Sequence, residues 1–378
     1  MIEKISIRNF RNLEQVAFTP RETTVLCGNN AQGKTSILEA IHFLLCNQSH
    51  RQSSLKEIVR IGQQFCRIDL LIGGTSGRSV SCRVFHDQQT GRFKKIYFDA
   101  EVKKTFTSIP FPCTAVLICP EDIRLFTGPP SRRRDLLDRL SNMQDRQYHR
   151  DILAYERALR NRNTLLVQQA EHKRKIDPHL FDLYTEQLLE SGAAVWEKRL
   201  VCLAAVQPLF AQALEKIWPS GEKPVLSYHP SILSKHTFKT KQTREQLKQL
   251  FKDALQSQKE RERVMGSTLF GPHRDDIECR LQGMDARKRA SQGELKATSF
   301  CLKAAEALYA QSLYPLPPII LLDDVFSEFD EQHRQAVSCF FQKQQVFITT
   351  TDRGFIPAPL DQKAQIFTLI NGSLQEQV

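Results

Sequence analysis

The stretch from Thr23 to Cys46 contains the residue types that bind phosphate groups. Residues 28–35, GNNAQGKT, match the spacing G-x-x-x-x-G-K-[ST]. A β-branched apolar run precedes this segment, and an apolar run with helical spacing follows it. In such a strand–loop–helix setting, the backbone N–H groups of residues 29 to 35 are expected to surround a β-phosphate at the positive end of the helix dipole. The alternative is a chance glycine turn, which the flanking pattern disfavours.

The side chains of this segment have distinct predicted roles. Lys34 is expected to reach the β- and γ-phosphates, and the Thr35 hydroxyl is expected to complete a Mg²⁺ shell. The sequence therefore predicts a site for a nucleoside triphosphate, with ATP and Mg²⁺ as the cofactors. The predicted nucleotide-binding residues are Gly28, Asn29, Asn30, Ala31, Gln32, Gly33, Lys34, Thr35 and Ser36.

A second apolar run, PPIILLDD from Pro317 to Asp324, ends in two carboxylates. In phosphate-loop ATPases such a strand lies beside the loop, and its first carboxylate, here Asp323, holds the Mg²⁺ shell. Asp324 is then placed to orient or deprotonate the attacking water. Aspartates also begin turns by chance, but a phosphate loop elsewhere in the chain favours the catalytic interpretation.

Two further segments are similar to motifs of ABC-type ATPases. The segment ASQGE (residues 290–294) opens a helix like the ABC signature, in which a serine hydroxyl and a helix N-terminus meet a γ-phosphate. Ser291 with Glu294 is also a capping box, and the two interpretations are compatible. SEFD (residues 327–330) resembles the D-loop that follows the acidic strand. In ABC-type heads the signature serine completes the site of a second subunit, so Ser291 is predicted to act in trans.

Composition restricts the class of protein. The 378 residues are 41% hydrophobic and 25% charged, which is ordinary for a globular protein with more than one lobe. No uninterrupted apolar run reaches about 18 residues, and the first residues lack the apolar core of a signal peptide. These features predict a cytoplasmic protein without a membrane partner. The net charge of +11 favours polyanionic partners.

The ten cysteines are scattered singly, without a C-x-x-C pair, and the ten histidines lack metal-ligand spacing. We therefore expect neither a zinc site nor a disulfide framework. Cysteines that lie in apolar runs are predicted to be buried thiols; these are Cys27, Cys46, Cys119 and Cys301.

The middle of the chain has a different pattern from its ends. Residues 65–102 alternate in short apolar runs, as in an antiparallel meander. From about residue 131 to Trp218 apolar residues recur every three to four positions, with a break at Asp177–Pro178. Two helices joined by a short break predict a helical hairpin, or arm.

Ordered motifs along nearly the whole chain resemble the RecF family of bacterial recombination-repair ATPases, which is related to SMC and Rad50 heads. The motifs that carry this resemblance are IRNFRNL at residues 7–13, the phosphate loop followed by LEAI, SHR at 49–51, PED at 120–122, GPPSRRRDLLD at 128–138, GPHRDD at 271–276, SQGELK at 291–296, LLDDVFSEFD at 321–330 and QVFITTTD at 345–352.

The resemblance implies an α/β fold: an ABC-type, SMC/Rad50-like P-loop ATPase head with an inserted α-helical lobe or short arm. We expect residues 1–120 and 266–378 to form the head and residues 121–265 to form the lobe. The implied function is ATP-dependent DNA binding at gap junctions between single and double strands, in recombinational repair, fork restart and the SOS response. The implied partners are DNA, a second copy of the chain in an ATP-dependent homodimer, RecR, RecO and, indirectly, RecA.

The chain departs from the family's pattern at several positions. Ala31 stands where the loop usually has glycine, so a positive φ there would create strain. Glu294 replaces glutamine, and Phe329 replaces leucine in the D-loop. The run Thr349–Thr351 lacks the histidine of transporter-type ABC heads. These departures leave the catalytic groups in place and predict a weak, DNA-dependent ATPase in which ATP acts as a switch.

DNA contacts are the least localised prediction, because phosphate binding needs cations along a face and not a motif. A solvated helix face is the alternative for each basic run. Other classes weighed against the repair ATPase are an SMC/Rad50-like structural chromosome ATPase, a transporter ATPase and a small-molecule kinase. The candidate DNA-binding residues are Arg132, Arg133, Arg134, Lys173, Arg174, Lys175 and Arg274, with the basic stretch from 235 to 248.

Overall fold

The computed structural model describes residues 1–47, 54–73, 78–87, 90–100, 102–106, 109, 111–172, 177–219, 224–232, 242–281, 284–370 and 372–377. They form two compact units. Unit 1 contains Met1–Asp122, Ala213–Pro219 and Phe300–Val378, and unit 2 contains Ile123–Gln212 and Ser220–Ser299. The chain thus returns to unit 1 twice, first at Ala213 and then at Phe300.

The strands are, in chain order, β1 Ile2–Phe10, β2 Leu13–Phe18, β3 Thr23–Cys27, β4 Phe65–Ile72, β5 Arg78–Asp87, β6 Arg92–Asp99, β7 Val102–Lys104, β8 Ala115–Ile118, β9 Val225–His229, β10 Asp276–Leu281, β11 Met284–Asp285, β12 Ile319–Asp323, β13 Val346–Thr350, β14 Gln365–Ile370 and β15 Ser373–Gln377. The helices are α1 Lys34–Cys46, α2 Leu55–Ile58, α3 Arg124–Thr127, α4 Pro130–Gln144, α5 Tyr148–His172, α6 Pro178–Ile217, α7 Arg244–Ser257, α8 Lys259–Met265, α9 Ala286–Arg289, α10 Gln292–Leu313, α11 Glu331–Phe340 and α12 Ala358–Asp361.

Unit 1 contains a mixed sheet with the strand order β15-β14-β3-β13-β12-β8. All of its strands run parallel except β15, which pairs antiparallel with β14. The parallel strands are continuous apolar runs, such as AVLI in β8 and IILL in β12, and those runs are buried throughout. This is the pattern of a sheet covered on both faces. It brings the carboxyl ends of β3, β13 and β12 to one edge.

Unit 1 also contains an antiparallel sheet with the order β2-β1-β4-β5-β6-β7. Residues in β4 alternate between buried and accessible, as the sequence pattern of residues 65 to 102 predicts. The buried residues of this sheet join the core of unit 1, for example Ile5, Ile68 and Val80. The sheet therefore has one core face and one accessible face.

Helix α1 contacts strands of both sheets in unit 1. Almost all of its residues are buried, including the polar Glu39 and His42. A helix that is apolar nearly all round must lie inside the core. Its N-terminal residue, Lys34, is thereby held at the edge where β3 ends.

Unit 2 is mainly helical, with a small sheet of order β11-β10-β9. The break predicted at Asp177–Pro178 agrees with the helix limits, since α5 ends at His172 and α6 begins at Pro178. A cluster of buried aromatic and aliphatic residues forms the core, with the rings of Trp196 and Phe251 4.7 Å apart.

Among the described residues, α6 is long and apolar enough, by length and composition alone, to cross a membrane. Charged residues interrupt its apolar stretches, so the helix contains no uninterrupted apolar run of about 18 residues. Within this helix, Arg199 is only 2% exposed and forms a 2.8 Å ion pair with Asp138. Trp196 is fully buried and donates its indole N–H to Asp275 over 2.5 Å. These contacts make α6 a core helix of the fold.

The cysteines are free thiols. Cys119 and Cys301 are buried as predicted, whereas Cys27 and Cys46 are half-buried. Burial raises the pKa of the Cys119 and Cys301 thiols well above its usual value, so both remain protonated near neutral pH.

Candidate nucleotide-binding site

The loop between β3 and α1 has the backbone conformation that its glycines permit. Gly28 has φ +149° and Gly33 has φ +106°. A Cβ atom on Gly28 would lie 2.6 Å from the Leu369 carbonyl oxygen, and one on Gly33 would lie 2.6 Å from Leu13 Cδ2. Both positions therefore require glycine for conformation and for space.

Ala31 also lies in the left-handed region, with φ +64°. A positive φ is the condition under which the sequence predicts strain at Ala31, and that condition is met. A left-handed conformation costs a residue with a Cβ atom about 1–2 kcal/mol. The surrounding contacts must hold the loop in this shape against that cost.

Asn12, in the turn between β1 and β2, makes two of these contacts. Its Nδ2 donates to the Ala31 carbonyl oxygen over 3.1 Å, and its Oδ1 accepts from Ser36 Oγ over 2.7 Å. One side chain thus joins the middle of the loop to the first turn of α1. The sequence motifs alone do not indicate this role for Asn12.

The Lys34 side chain is only 7% exposed. Its Nζ donates to the carbonyl oxygens of Gly28, over 2.6 Å, and Asn29, over 2.9 Å. Burial lowers the pKa of Lys34, and the carboxylates of Asp324 and Asp323 oppose that effect. The ammonium group is therefore held inside the phosphate loop, where it could form an ion pair with a bound phosphate group.

Asp323 accepts two hydroxyl hydrogen bonds on one carboxylate oxygen. Thr35 Oγ1 donates to Asp323 Oδ1 over 2.9 Å, and Thr349 Oγ1 donates to the same atom over 2.6 Å. Asp323 and Thr349 are register partners on β12 and β13, and β13 separates β12 from β3 in the sheet. The acidic strand thus reaches the loop across an intervening strand. Carboxylate and hydroxyl oxygens are hard donors that suit Mg²⁺.

Asp324 follows β12 with φ +51°. Its N–H donates to Thr349 Oγ1 over 3.0 Å. Among the described residues, its carboxylate oxygen Oδ1 is buried without a hydrogen-bond partner. Burial raises the pKa of Asp324, and Lys34 opposes that effect. A carboxylate with a raised pKa and an unsatisfied oxygen has the properties of a base that orients or deprotonates water.

A cavity of about 1020 Å³ opens over the loop. Arg11 lies on its wall and donates to Glu39 Oε1 over 2.6 Å. Of the nearby residues of β1, Arg8 is exposed and Asn9 is buried. The predicted residues that line the cavity are Asn30, Ala31, Gly33, Lys34, Thr35, Ser36, Asp323 and Asp324, together with Arg11, Asn12 and Thr349.

Ser291 and Glu294 make the capping box that the sequence offered as the structural interpretation. The Ser291 N–H and hydroxyl donate to Glu294 Oε2 over 2.7 and 2.9 Å, and Glu294 N–H donates to Ser291 Oγ over 3.3 Å. Both side chains are exposed, and a Cβ atom on Gly293 would meet open space. The first turn of α10 is therefore accessible. Ser291 belongs to unit 2, whereas the cavity described above belongs to unit 1.

The D-loop segment is fixed from the next helix. Arg334 Nε donates to the carbonyl oxygens of Phe326 and Phe329 over 2.8 and 2.7 Å. Asp330 caps α11 by accepting from the His333 N–H over 2.9 Å. Residues 327–330 thus have a defined backbone path immediately after the acidic strand.

The candidate DNA-binding residues have different environments. Arg133 is only 3% exposed and holds Asp276 through two hydrogen bonds of 2.6 and 2.8 Å. This buried ion pair argues against a direct DNA contact by Arg133. Arg132 and Arg134 are half-buried, and Arg274 is exposed with its Nε donating to the Thr268 carbonyl oxygen over 3.0 Å. Lys173, Arg174 and Lys175 lie outside the described residues, as do residues 49–51 and residues 235–241 of the 235–248 stretch.

Known proteins match this chain along nearly its whole length. The family model described as RecF/RecN/SMC N terminal domain matches residues 1–372. A "DNA replication and repair protein RecF" from Halalkalibacterium halodurans is 33% identical over 379 residues, with 100% of this chain and 99% of that protein covered. A protein of the same name from Moorella thermoacetica is 32% identical, with 98% and 95% covered.

Solved structures agree with the sequence comparison. A structure described as the recombination mediator protein RecF-ATPrS in the RecFOR pathway has a TM-score of 0.87 and 27% identity, with 100% of this chain and 98% of that chain covered. The corresponding RecF-ATP structure has a TM-score of 0.85 and 28% identity, with 100% and 97% covered. An Smc head domain from Pyrococcus furiosus, at 16% identity and a TM-score of 0.52, with 100% and 95% covered, shares the fold.

Proposed function

This chain belongs to the RecF family, and from that premise we propose that it is an ATP-dependent DNA-binding protein of recombinational repair. The observation that carries the proposal is the single Asp323 oxygen that accepts from both Thr35 and Thr349. It joins the phosphate loop to the acidic strand in the arrangement that a magnesium–nucleotide site requires. The solved RecF-ATP relative, at 28% identity, supports ATP as the nucleotide.

The residues of the chain divide the work at this site. Lys34 and the backbone N–H groups of the loop bind the phosphates, and Thr35 with Asp323 would hold Mg²⁺. When bound, Mg²⁺ neutralises charge on the phosphate oxygens. Asp324 orients the attacking water and accepts its proton, for which its raised pKa is suited. The two carboxylates therefore have different roles.

We propose that ATP acts mainly as a switch for dimerisation. The accessible first turn of α10 supports this, because Ser291 is exposed there and the γ-phosphate of a second copy would replace Glu294 as the acceptor of the Ser291 hydroxyl. The capping box orders Ser291 before any such contact forms. Hydrolysis is then a slow, DNA-dependent step that ends the dimeric state.

The partners follow from the family and from charge. A net charge of +11 supports binding to DNA, including gap junctions between single and double strands. The RecFOR pathway named for the solved relatives supports a role in which this chain helps RecO and RecR to load RecA, in replication-fork restart and the SOS response. We place this work in the cytoplasm, with residues 1–120 and 266–378 as the ATPase head and 121–265 as the helical lobe.

The test is retention of a gapped duplex by the full chain on a filter, with ATP, with ADP and without nucleotide, across a salt series. We expect ATP-dependent retention that falls steeply as salt rises. Lys34→Ala should abolish ATP binding and the ATP-dependent part of retention, whereas Lys363→Ala, at an exposed position, should change neither. Retention that ignores either ATP or salt would contradict the proposal.

A structural chromosome ATPase of the SMC/Rad50 type is the alternative, and the fold shared with the Smc head favours it. Proteins of that type act through long coiled coils. Here the two long described helices, α5 and α6, have 25 and 40 residues, so the longer one spans about 60 Å. Helices of this length argue against the structural chromosome function. Preference for gapped over intact duplex in the filter assay supports the repair function over this alternative.

A further inference from the structure

Three arginines lie in one row across the antiparallel sheet. Arg8 on β1 is the register partner of Arg67 on β4, and Arg67 is the register partner of Arg83 on β5. Neighbouring strands are about 4.8 Å apart, so three guanidinium groups start from adjacent backbone positions. Like charges placed directly opposite each other destabilise a sheet. The row therefore costs stability, and a function that uses the three charges would explain why the sheet carries it.

The row lies on the accessible face of the sheet. Cys66 and Ile68, the neighbours of Arg67 in β4, are buried in the core of unit 1. Because side chains alternate between faces, Arg67 points to the opposite face. Arg8 and Arg83 are exposed, and Arg67 is half-buried beside Asp69, at 2.8 Å.

Aromatic rings lie in the rows on both sides of the arginines. The Arg8 guanidinium carbon lies 5.7 Å from the centre of the Phe65 ring, and that of Arg83 lies 4.9 Å from the centre of the Phe98 ring. Phe65 is 37% exposed and is the register partner of Phe85, which is half-buried. The face thus presents cations that lie over partly accessible rings.

We propose that this face, the arginine row with Phe65 and Phe98, binds a single strand of nucleic acid. The guanidinium groups contact successive phosphates, and unstacked bases lie against the rings. A duplex keeps its base faces stacked inside, so it can use the cations but not the rings. The inference rests on the DNA binding proposed above, and it adds a surface in unit 1 to the candidates in unit 2.

The experiment measures fluorescence anisotropy of a labelled oligo-dT strand and of a labelled hairpin duplex, with the full-length chain, over a salt series. One variant is Arg8→Ala/Arg83→Ala, and a second is Phe65→Leu/Phe98→Leu. Lys343→Ala, an exposed lysine elsewhere in unit 1, is the matched control. Thermal melting of each variant checks folding, and the arginine variant should melt no earlier than the wild type because like charges are removed.

We expect the arginine variant to bind oligo-dT at least fivefold more weakly and to lower the salt slope by about 1.4. The phenylalanine variant should weaken oligo-dT binding at least fivefold and leave the hairpin and the salt slope unchanged. Wild-type affinity for oligo-dT in both variants overturns the inference and leaves the proposed function standing. A loss confined to the hairpin also overturns it. A wild type that binds neither probe contradicts the proposed DNA binding itself.

Discussion

Thr35 and Asp323 are 288 positions apart in the chain, yet Thr35 Oγ1 donates to Asp323 Oδ1 over 2.9 Å. Thr349 adds a second hydroxyl to the same oxygen over 2.6 Å. Folding alone therefore gathers the oxygen donors of the site.

Thr349→Val should weaken binding of magnesium–ATP by about tenfold, because a hydrogen bond to a charged group is worth about 1.5–3 kcal/mol. Titration with a fluorescent ATP analogue, with Mg²⁺ and with EDTA, measures the effect, which should be largest with Mg²⁺. Thr351→Val, at an exposed position of the same segment, is the control. Equal affinities of the two variants for magnesium–ATP would show that Thr349 does not contribute to binding.

Ala31→Gly should stabilise the protein by about 0.5–1 kcal/mol, since relief of the left-handed strain exceeds the entropy that glycine adds to the unfolded chain. Thermal or urea unfolding measures the change. Ala100, with φ +46° and distant in sequence from the loop, is the matched site, and Ala100→Gly should stabilise by a similar amount. A destabilised Ala31→Gly variant would show that the loop is not strained.

Asp324→Asn should retain ATP binding and lose hydrolysis, and asparagine tolerates the positive φ at this position. Because burial raises the pKa of Asp324 above its unfolded value of 3.8, the folded state holds its proton more tightly. The wild type therefore loses stability as pH rises from about 4 through that raised pKa. The variant lacks this loss, so it should be the more stable protein at pH 7 and lose that advantage near pH 3. Unfolding midpoints measured across this range check the sign.

Ser291→Arg should leave ATP binding unchanged and block ATP-dependent dimerisation, because the large side chain covers the first turn of α10. Light scattering with and without ATP measures the mass. Glu294→Ala removes the glutamate half of the capping box and keeps Ser291 as the N-cap, so it should lower stability by less than about 1 kcal/mol while dimerisation persists. Normal dimerisation of the Ser291→Arg variant would disprove the model of ATP shared between two heads.

Arg162→Met should destabilise the protein by about 3–5 kcal/mol, because Arg162 and Glu262 form an ion pair of 2.7 Å with side-chain exposures of 2% and 1%. The substitution leaves a buried carboxylate without its partner. Arg263→Met, which breaks an exposed pair with Glu260 at 2.8 Å, should change stability by less than about 0.5 kcal/mol. Urea unfolding measures the free energy of unfolding of both variants. Equal losses of stability would show that burial of the ion pair does not matter.

The phosphate loop, the ABC-type fold and the RecF resemblance could be predicted because they depend on local spacing along the chain, and the comparisons confirm the fold and the family. The roles of Asn12 and Thr349 could not be predicted, since they arise from contacts across strands whose order the sequence does not state. The position of β13 between β3 and β12 is such a case.

Arg133 lies in a run of three arginines, Arg132–Arg134, whose basic composition alone makes all three candidates for DNA contact. Helical spacing places Arg133 on the same face as Leu136, Leu137 and Leu140, and all four are buried in α4. A single arginine on an apolar stripe indicates an internal ion pair, here with Asp276.

The place of β3 in the mixed sheet has a consequence for synthesis of the protein. This strand comes from the first 30 residues, but its two neighbours, β13 and β14, come from residues 346–350 and 365–370. A ribosome releases the chain from its N-terminus onward, so the strand that carries the phosphate loop waits for nearly the whole chain before it can pair. Prematurely terminated chains would then lack a completed ATP site.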